Sequence, residues 1–238
     1  MPTYEEARSI ILSNVHPLGV ERAPLLEALG RVVADDVAAP WDMPFYDNSA
    51  MDGFAVRTDD CRAGVSLRIT GFLPAGETAA PAVLPGCAVR IMTGAQIPPG
   101  CDAVVPVEET EERDGAVELR EKVKRSQHIR FRGEDVRNGD TVVTTGTILQ
   151  PPEISMLASF GKAFVPVYRK ARVAVLSTGD ELVELGEPLS PGRIINSNAL
   201  SLAAAVTATG AEPVILGIAR DNMESHRERM TEGLKADV

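Results

Sequence analysis

Basic residues are a minority in this sequence, where 24 Lys and Arg face 34 Asp and Glu and the net charge is −10. A nucleic-acid binder neutralises phosphates with Lys and Arg, so this balance argues against that class. It does not exclude a small anionic ligand, because a few arginines or backbone N–H groups are enough to bind one.

Cysteine and histidine are also scarce, with three of each. Cys61, Cys87 and Cys101 show no C-x-x-C spacing and are odd in number, so we expect free thiols in a reducing cytoplasm. The histidines lie far apart in the sequence, which gives a histidine-based transition-metal site little support.

Long apolar runs are missing, and no stretch is long enough to cross a bilayer. Residues 1–6 carry neither the basic nor the apolar segment of a signal peptide. We therefore expect a cytoplasmic protein. Aromatic residues make up only 4% of the chain, so its core should consist mainly of Val, Ile, Leu and Ala.

The beginning of the chain and a later segment both predict helices. Thr3 is placed as an N-cap with Glu6 at the capping-box position, and apolar residues follow at helical spacing. A second amphipathic segment spans residues 25–33, and its continuation is compatible with helix or strand. Pro151 opens a further helix, which Gly161 ends.

Between residues 54 and 147 the pattern changes to short strands separated by turns rich in Pro and Gly. This predicts a compact β domain, sandwich or barrel-like, with an edge or a bulge at Pro106. If the following helix packs on the N-terminal helical material, the β domain is an insertion. We predict an elongated helical or mixed domain of residues 1–45 and 146–169, with residues 46–145 inserted as the β domain.

From residue 170 to 238, apolar strands of the kind buried on both faces of a parallel sheet alternate with helices. The predicted elements are a strand at 172–176, a helix at 198–209, a strand at 213–218, a helix at 222–234 and the start of a third strand at 236–238. This is the first half of a doubly wound α/β domain, so the predicted fold class is α/β plus β, multidomain. In such sheets a ligand lies at the carboxyl ends of the strands.

The stretch Asp47–Val56 is the first candidate site. Its Asp, Asn and Ser residues favour side-chain-to-backbone hydrogen bonds, and Phe54 begins a strand. Asp52 is followed by Gly53, an arrangement that can hold one carboxylate at the edge of a sheet, within reach of a metal ion or a cation. The alternative is a capped turn between two elements.

Polar residues that follow the two α/β strands form the second candidate site. Ser177, Thr178 and the backbone around Gly179 can hold a phosphate. Glu181 and Asp221 come from adjacent strand ends and can share one Mg²⁺, which takes one or two carboxylates and substrate phosphates. The alternatives are a polar strand-to-helix turn and, at Arg220-Asp221, a helix-start pair.

Further polar residues lie within the β domain. Thr93 and Gly94 end a strand and offer a hydroxyl and flexible backbone to an oxyanion. Arg130 and Arg132 can pair with phosphate oxygens while Asp135 positions them or binds metal. A surface salt-bridge cluster is the plainer alternative at these arginines.

The residues Asp-Asn-Ser-Ala-Met-Asp-Gly-Phe-Ala-Val at 47–56 resemble the signature near the N-terminus of the MoeA family of molybdopterin molybdenumtransferases, which includes the E domain of gephyrin. Four further motifs match in order: Arg90–Ala95, Arg132–Asp135, Ser177–Leu182 and Gly217–Asp221. The matches cover most of the chain. The resemblance implies the arrangement predicted above, with a MogA-like α/β domain after the inserted β domain.

Members of this family insert molybdenum from molybdate into adenylylated molybdopterin with release of AMP, and Mg²⁺ supports the step. The resemblance implies this reaction here, together with a homodimer whose active sites lie between subunits and a molybdopterin adenylyltransferase as partner. On this template Asp52, Thr93, Asp135, Glu181 and Asp221 match positions that line the family's active-site crevice. We predict catalytic roles for Asp52, Asp135, Glu181 and Asp221, the last two holding the metal. The predicted substrate-binding residues are Thr93, Gly94, Arg130, Arg132, Ser177, Thr178 and Gly179.

The family's chains continue beyond the point that corresponds to Val238, with a pterin loop, a lysine-bearing loop and a C-terminal β domain. We therefore expect a fragment with little or no transferase activity on its own. Two functions are alternatives to the predicted transferase. One is a non-catalytic dimeric scaffold, which would need neither Asp52 nor Glu181. The other is molybdopterin adenylyltransferase, against which the long β insertion argues.

Overall fold

The structure is a computed structural model that describes residues 2–77 and 82–238 of the 238-residue chain. The chain divides into two compact units. Met1–Asp36 and Val143–Val238 form the first unit, and Val37–Val142 form the second, which we call the inserted unit. The three-domain division at residues 45/46, 145/146 and 169/170 stays a prediction.

Most of the strands belong to the inserted unit. In chain order they are β2 Val37–Ala38, β3 Asn48–Ser49, β4 Gly53–Val56, β5 Ser66–Leu73, β6 Cys87–Ile91, β7 Ala103–Pro106, β8 Thr110–Arg113, β9 Ala116–Leu119, β10 Ile129–Arg130 and β11 Thr141–Val143. The elements before them are α1 Tyr4–Asn14 and β1 Val20–Pro24. The elements after them are α2 Pro151–Ser159, β12 Phe164–Tyr168, β13 Arg172–Thr178, β14 Leu182–Val183, β15 Ile194–Ile195, α3 Ser197–Ala208, β16 Glu212–Ala219 and α4 Met223–Gly233.

Six strands of the inserted unit form one sheet in the order β7-β4-β6-β5-β9-β8. Neighbours are antiparallel except for the parallel pair β5 and β6. Strand β7 is an edge of this sheet and ends at Pro106, where a residue without an N–H is tolerated. The antiparallel pair β3 and β10 and the pair β2 and β11 complete the unit.

The core of the inserted unit lies on both faces of the sheet. All four residues of β4 are buried. Phe54 and Val56 join one apolar cluster and Ala55 joins the other, because successive side chains of a strand point to opposite faces. Truncating a core ring such as Phe54, which is 1% exposed, costs about 3–5 kcal/mol in comparable proteins. The strand that follows Asp52 is therefore packed into the core on both faces.

The first unit opens with the predicted capped helix. Thr3 accepts a hydrogen bond from the Glu6 N–H, and the Glu6 carboxylate accepts one from the Thr3 N–H, so the capping box is present in α1. Helix α2 begins at Pro151 as predicted, with Glu153 closing a second capping box. Gly161 follows with a φ of 66°, which suits glycine.

The amphipathic segment at residues 25–33 does not form a regular α-helix. Only Leu25–Ala28 turn, as a short 3₁₀ helix, after the strand β1. The strand pairs antiparallel with β12, from Val20 opposite Tyr168 to Pro24 opposite Phe164. Within the segment, Val32 forms an antiparallel bridge with Ile148, and Val33 forms one with Val167. These partners are distant along the chain, and local periodicity does not register them.

The α/β part follows the predicted order. Strands β13 and β16 are parallel, and helix α3 lies between them in the sequence and packs against both. Helix α4 packs on the same two strands, with Gly233 close to Leu216 and Ala174. After α4, the Ala174 N–H donates to the Val238 carbonyl at 2.7 Å, and the Val238 N–H donates to the Arg172 carbonyl at 3.2 Å. These bonds have the pattern of a parallel pair, so the chain returns alongside β13 at the predicted third strand.

An ion pair fastens this returning segment. Asp237 accepts two hydrogen bonds from the Arg169 guanidinium, at 2.6 and 2.9 Å, and one from the Arg172 N–H at 2.8 Å. The guanidinium bonds, followed by the backbone bond, lower the pKa of Asp237 to about 2.

In the described residues no helix is long and apolar enough to span a membrane.

Candidate functional site

The loop between β3 and β4 presents the carboxylate of Asp52. Ser49 shapes this loop, because its hydroxyl donates to the Met51 carbonyl at 2.6 Å and accepts from the Met51 N–H at 3.3 Å. Asp52 Oδ1 accepts both the N–H and the hydroxyl of Thr93, each at 2.7 Å. These two bonds, the backbone one first, lower the pKa of Asp52. Asp52 is therefore a carboxylate at neutral pH, and Oδ2 has no hydrogen-bond partner within the described residues.

Gly53 allows the neighbouring strand to approach Asp52 closely. A Cβ on Gly53 would lie 2.1 Å from the Val105 carbonyl oxygen and 3.1 Å from the Pro106 Cα. Neither is a flexible side-chain atom, so only glycine fits beside β7 at this position. The Asp-Gly pair thus has two separable parts, since Asp52 carries the charge and Gly53 permits the close strand pairing that fixes it.

The predicted oxyanion donors of the β domain are engaged inside the loop. Both donors of Thr93 bind Asp52, and the Gly94 N–H donates to the Ser49 carbonyl at 2.8 Å. The structure therefore brings Asp52, Thr93 and Gly94 together, and the Asp52 carboxylate accepts both hydrogen bonds from Thr93. The oxygen left to contact a ligand is Asp52 Oδ2, which is anionic.

The predicted arginines are held by carboxylates of the same unit. Arg130 bonds Glu134 through Nε at 3.1 Å and Asp135 through Nη2 at 2.5 Å. The bonds to Glu134 and then Asp135 raise the pKa of Arg130, and the Phe131 N–H, as the first cause, lowers the pKa of Glu134. The salt-bridge cluster considered from the sequence is thus present at Arg130, with all its members partly exposed.

Arg132 is held in a different way. Its N–H donates to Asp47 Oδ1 at 2.7 Å, and its Nε donates to Asp42 Oδ2 at 2.6 Å. Asp42 is fixed in turn by the Asn138 N–H at 2.8 Å. The pKa of Asp42 is lowered by that backbone bond first and by Arg132 second. Sequence reasoning missed Asp42, because the partners of this carboxylate lie 90 and 96 residues away along the chain.

The second group of residues lies at the carboxyl end of β13. Ser177 and Thr178 end the strand, and the Gly179 N–H donates to the Ala219 carbonyl at 3.1 Å. Gly179 has a φ of 138°, and a Cβ there would lie 2.4 Å from Oε2 of Glu181. The glycine therefore lets the Glu181 carboxylate fold back against the loop.

Arg220 links the ends of the two parallel strands. Its Nη1 donates to the carbonyls of Gly179 and Asp180, each at 3.3 Å, and of Leu182 at 2.9 Å. The Asp221 N–H also donates to Asp180 Oδ1, at 3.3 Å. The residues that follow β16 thus hold the loop that carries Glu181 by hydrogen bonds. These bonds bring together the two predicted motifs at the strand ends, Ser177–Leu182 and Gly217–Asp221.

Asn196 is a second residue that the sequence analysis did not single out. It precedes α3 and is 5% exposed, and its Oδ1 accepts the Ser177 hydroxyl at 2.8 Å. Its Nδ2 is the buried side-chain N or O atom that has no partner in the described part of the chain. The available signal was an Asn-Ser-Asn run ahead of an Ala-rich segment, which marks a helix start.

The predicted Mg²⁺ site at Glu181 and Asp221 relies on two carboxylates. Within residues 2–77 and 82–238, no group of three or more His, Cys, Asp or Glu side chains is arranged to hold a metal ion. Mg²⁺ binds through one or two protein carboxylates and completes its shell with water and phosphate oxygens. Glu181 and Asp221 therefore stay predicted Mg²⁺ ligands.

Two models of known protein families match most of the chain. Residues 2–161 match the family model described as "MoeA N-terminal region (domain I and II)", and residues 174–238 match "Probable molybdopterin binding domain". The first match covers well over half of the chain. The chain belongs to the MoeA family.

Relatives of this MoeA-family chain carry consistent names. The "Molybdopterin molybdenumtransferase" of Haemophilus influenzae is 42% identical over 93% of this chain. The "Molybdopterin molybdenumtransferase 2" of Mycobacterium tuberculosis is 40% identical over 94% of it. The chain spans 55% and 56% of the length of these two relatives.

A solved structure supports the same fold. The crystal structure titled molybdopterin biosynthesis moeA protein from Pyrococcus horikoshii OT3 is 32% identical, with a TM-score of 0.92. The match covers 100% of this chain and 65% of that one. The resemblance and the multidomain α/β plus β fold class predicted from the sequence are confirmed.

Proposed function

We propose that this chain is part of a Mg²⁺-dependent molybdopterin molybdenumtransferase, which inserts molybdenum from molybdate into adenylylated molybdopterin and releases AMP. The observation that carries this proposal is the 42% identity, along 93% of the chain, to a protein named molybdopterin molybdenumtransferase. The geometry of the two groups of site residues supports it. One group presents the Asp52 carboxylate, and the other presents polar side chains at the ends of two parallel strands.

In the inserted unit the proposed catalytic carboxylates are Asp52 and Asp135. Asp52 is ionised and has one oxygen fixed by Thr93, so Oδ2 can hold a cation or receive a proton. Asp135 is paired with Arg130. We assign Thr93 and Gly94 the role of fixing this loop beside the substrate, since their donors serve Asp52 and Ser49. The reaction then depends on positioning and charge.

In the α/β part Ser177, Thr178 and Gly179 are the proposed contacts to the pterin substrate. Glu181 and Asp221 would hold the Mg²⁺, which when bound would supply positive charge to the phosphate of the substrate. The Arg220 side chain fixes the carbonyls on both sides of Glu181 and so limits where that carboxylate can lie.

The two groups belong to different units, and we propose that one substrate engages the Asp52 group of one chain and the Glu181 group of a second chain. A homodimer is supported by α1, in which no residue is buried and Ile10, Ile11 and Leu12 are exposed. Apolar side chains on a helix of this length are usually covered.

A cytoplasmic location and a molybdopterin adenylyltransferase that supplies the adenylylated substrate complete the proposal.

A mixed dimer tests the shared site directly. Asp52→Ala and Glu181→Ala chains are given different affinity tags, and the heterodimer is purified and titrated calorimetrically with adenylylated molybdopterin and Mg²⁺. Each variant homodimer should bind weakly. The heterodimer should regain one site of wild-type affinity per dimer, against two sites in the wild type, because one of its two sites carries both changes and the other carries none.

Two controls separate charge from folding. Asp59→Asn alters an exposed carboxylate of the same unit and should leave binding unchanged. Omitting Mg²⁺ should weaken binding in the wild type more than in Glu181→Ala, because the variant has already lost one proposed ligand. A heterodimer that binds no better than either homodimer, with its composition verified, would refute the shared site.

A further inference from the structure

One exposed arginine of the inserted unit has no role in the site described above. Arg90 is the exposed residue of strand β6, and the other four residues of that strand are buried. Phe54 of β4 lies opposite Arg90 on one side, and Phe72 of β5 lies opposite it on the other. Opposite residues of paired strands point to the same face of a sheet, so Arg90 shares a face with the buried Phe54. It therefore lies where that face, which is apolar inside, opens to solvent.

A carboxylate from the edge of the same sheet holds the Arg90 guanidinium. Arg90 Nη1 donates to Glu112 Oε2 at 3.1 Å, and both side chains are 46% exposed. Glu112 belongs to β8, which is an edge strand of the sheet. Within residues 2–77 and 82–238, Arg90 Nε and Nη2 have no hydrogen-bond partner. The ion pair thus fixes the guanidinium and leaves one complete edge of it free.

Arg90 also lies close to the Asp52 carboxylate. Asp52 precedes Phe54, the residue opposite Arg90, by two positions, and Thr93 follows Arg90 by three. Both donors of Thr93 bind Asp52 Oδ1, each at 2.7 Å. After these two bonds, the positive charge of Arg90 is a further cause that lowers the pKa of Asp52. The structure shows no hydrogen bond between these two described side chains, so the free edge of Arg90 is not used by Asp52.

The two arginines predicted for substrate binding differ from Arg90 in this respect. Arg130 Nε donates to Glu134 at 3.1 Å, and Arg132 Nε donates to Asp42 at 2.6 Å. In both, a carboxylate of the same unit occupies the edge of the guanidinium that contains Nε. Arginine can bind an oxyanion through two parallel N–H groups of such an edge, and in Arg90 this edge is open.

We propose that Arg90 is a further substrate-contact residue, whose Nε and Nη2 donate to an oxyanion of the substrate beside Asp52. This proposal rests on the proposed function, in which adenylylated molybdopterin and molybdate both carry oxyanions. An anion next to the Asp52 carboxylate needs a compensating positive charge, and Arg90 supplies one that Glu112 holds in place. The alternative is an ion pair that only joins β6 to β8.

Calorimetric titration of the whole chain with adenylylated molybdopterin and Mg²⁺, and separately with molybdate, tests the contact. Arg90→Gln should weaken the binding of at least one of these ligands about ten-fold or more, and the ligand affected identifies the source of the oxyanion. Arg90→Lys keeps the charge without the two parallel donors, so it should recover part of the loss. The matched control is Arg113→Gln in β8, whose side chain is 85% exposed, and it should bind as the wild type does.

Glu112→Gln distinguishes a substrate contact from a purely structural ion pair. It removes the same ion pair as Arg90→Gln, so thermal unfolding should give the two variants the same Tm. Because it keeps the guanidinium, it should weaken ligand binding less than Arg90→Gln does. Equal losses of binding in the two variants would overturn the proposal, and so would unchanged binding of both ligands in Arg90→Gln.

Nuclear magnetic resonance of the wild type adds a measurement that does not depend on the folding of any variant. The Nε–H resonance of Arg90 should shift when molybdate or inorganic phosphate is added, and that of Arg113 should not. Shifts confined to Arg130 or Arg132 would place the oxyanion elsewhere and refute the contact.

The outcomes for Arg90 and for the proposed function are distinguishable. If Glu181→Ala weakens the binding of adenylylated molybdopterin but Arg90→Gln changes neither ligand, the proposed function stands and the role of Arg90 fails. If molybdate or phosphate shifts the Arg90 resonance but neither Glu181→Ala nor Arg90→Gln affects adenylylated molybdopterin, the proposed function fails and Arg90 remains an oxyanion contact.

Discussion

The close approach of β7 to Gly53 makes Gly53→Ala the most informative single substitution for the loop that carries Asp52. The new Cβ would lie 2.1 Å from the Val105 carbonyl oxygen and 2.8 Å from its carbon. Non-bonded atoms of this kind prefer a separation of about 3.5 Å, so β4 and β7 must move apart by about 1 Å. Both are backbone segments in the sheet, and no side-chain rotation can relieve the clash.

The expected loss of stability can be added up from this geometry. Forcing extra volume into a packed site costs about 1–3 kcal/mol. Lengthening two hydrogen bonds of the ladder adds about 0.5–1.5 kcal/mol for each. The sum is about 2–6 kcal/mol, and for a unit of roughly 100 residues this should lower the Tm by about 10 °C or more.

Thermal unfolding followed by circular dichroism measures the change, and hydrogen exchange of residues 53–56 locates it. Gly86→Ala is the matched control, because Gly86 has a φ of 71° and a Cβ added there would meet no atom of the described residues within 4 Å. It should cost only the left-handed backbone conformation, about 1 kcal/mol. Equal Tm values for the two variants, or unchanged exchange in β4, would refute the argument from close approach.

Three further outcomes concern titration. Thr93→Val removes one of the two donors to Asp52 but keeps the backbone one, so the pKa of Asp52 should rise towards its ordinary value; a carboxyl ¹³C titration that shows no rise would contradict the assigned bond. The pKa of Asp237 is lowered from 3.8 to about 2, so its ion pair stabilises the fold above about pH 4 and this contribution disappears as the pH falls through 2. Asp237→Asn should therefore unfold more readily at neutral pH and show a shallower acid dependence, whereas equal slopes in acid denaturation would count against this. Burial, as the first cause, raises the pKa of Cys61 to about 12 and that of Cys101 to about 11. Both thiols should therefore react slowly with a thiol reagent at about pH 8 until the chain unfolds. Rapid labelling of the folded chain would contradict this.

Local patterns in the sequence were sufficient for several elements. The capping box at Thr3 and Glu6, the Pro151 helix start and the apolar strand at residue 172 all appear at their predicted positions. Each depends on residues within a few positions of one another, and such interactions can be recognised without knowing the rest of the fold. The helix expected at residues 25–33 does not form, because Val32 and Val33 pair with Ile148 and Val167, which are distant along the chain.

The sequence by itself determined that Asp52 is a short-loop carboxylate before a buried strand and that Ser177 and Asp221 lie at the carboxyl ends of parallel strands. Only the tertiary structure decided that Thr93, 41 residues away, holds Asp52, and that Asp42 anchors Arg132 from 90 residues away. Hydrogen bonds and ion pairs over such distances exist only after the sheet has brought the segments together, because the energy of each bond is too small to order the intervening chain.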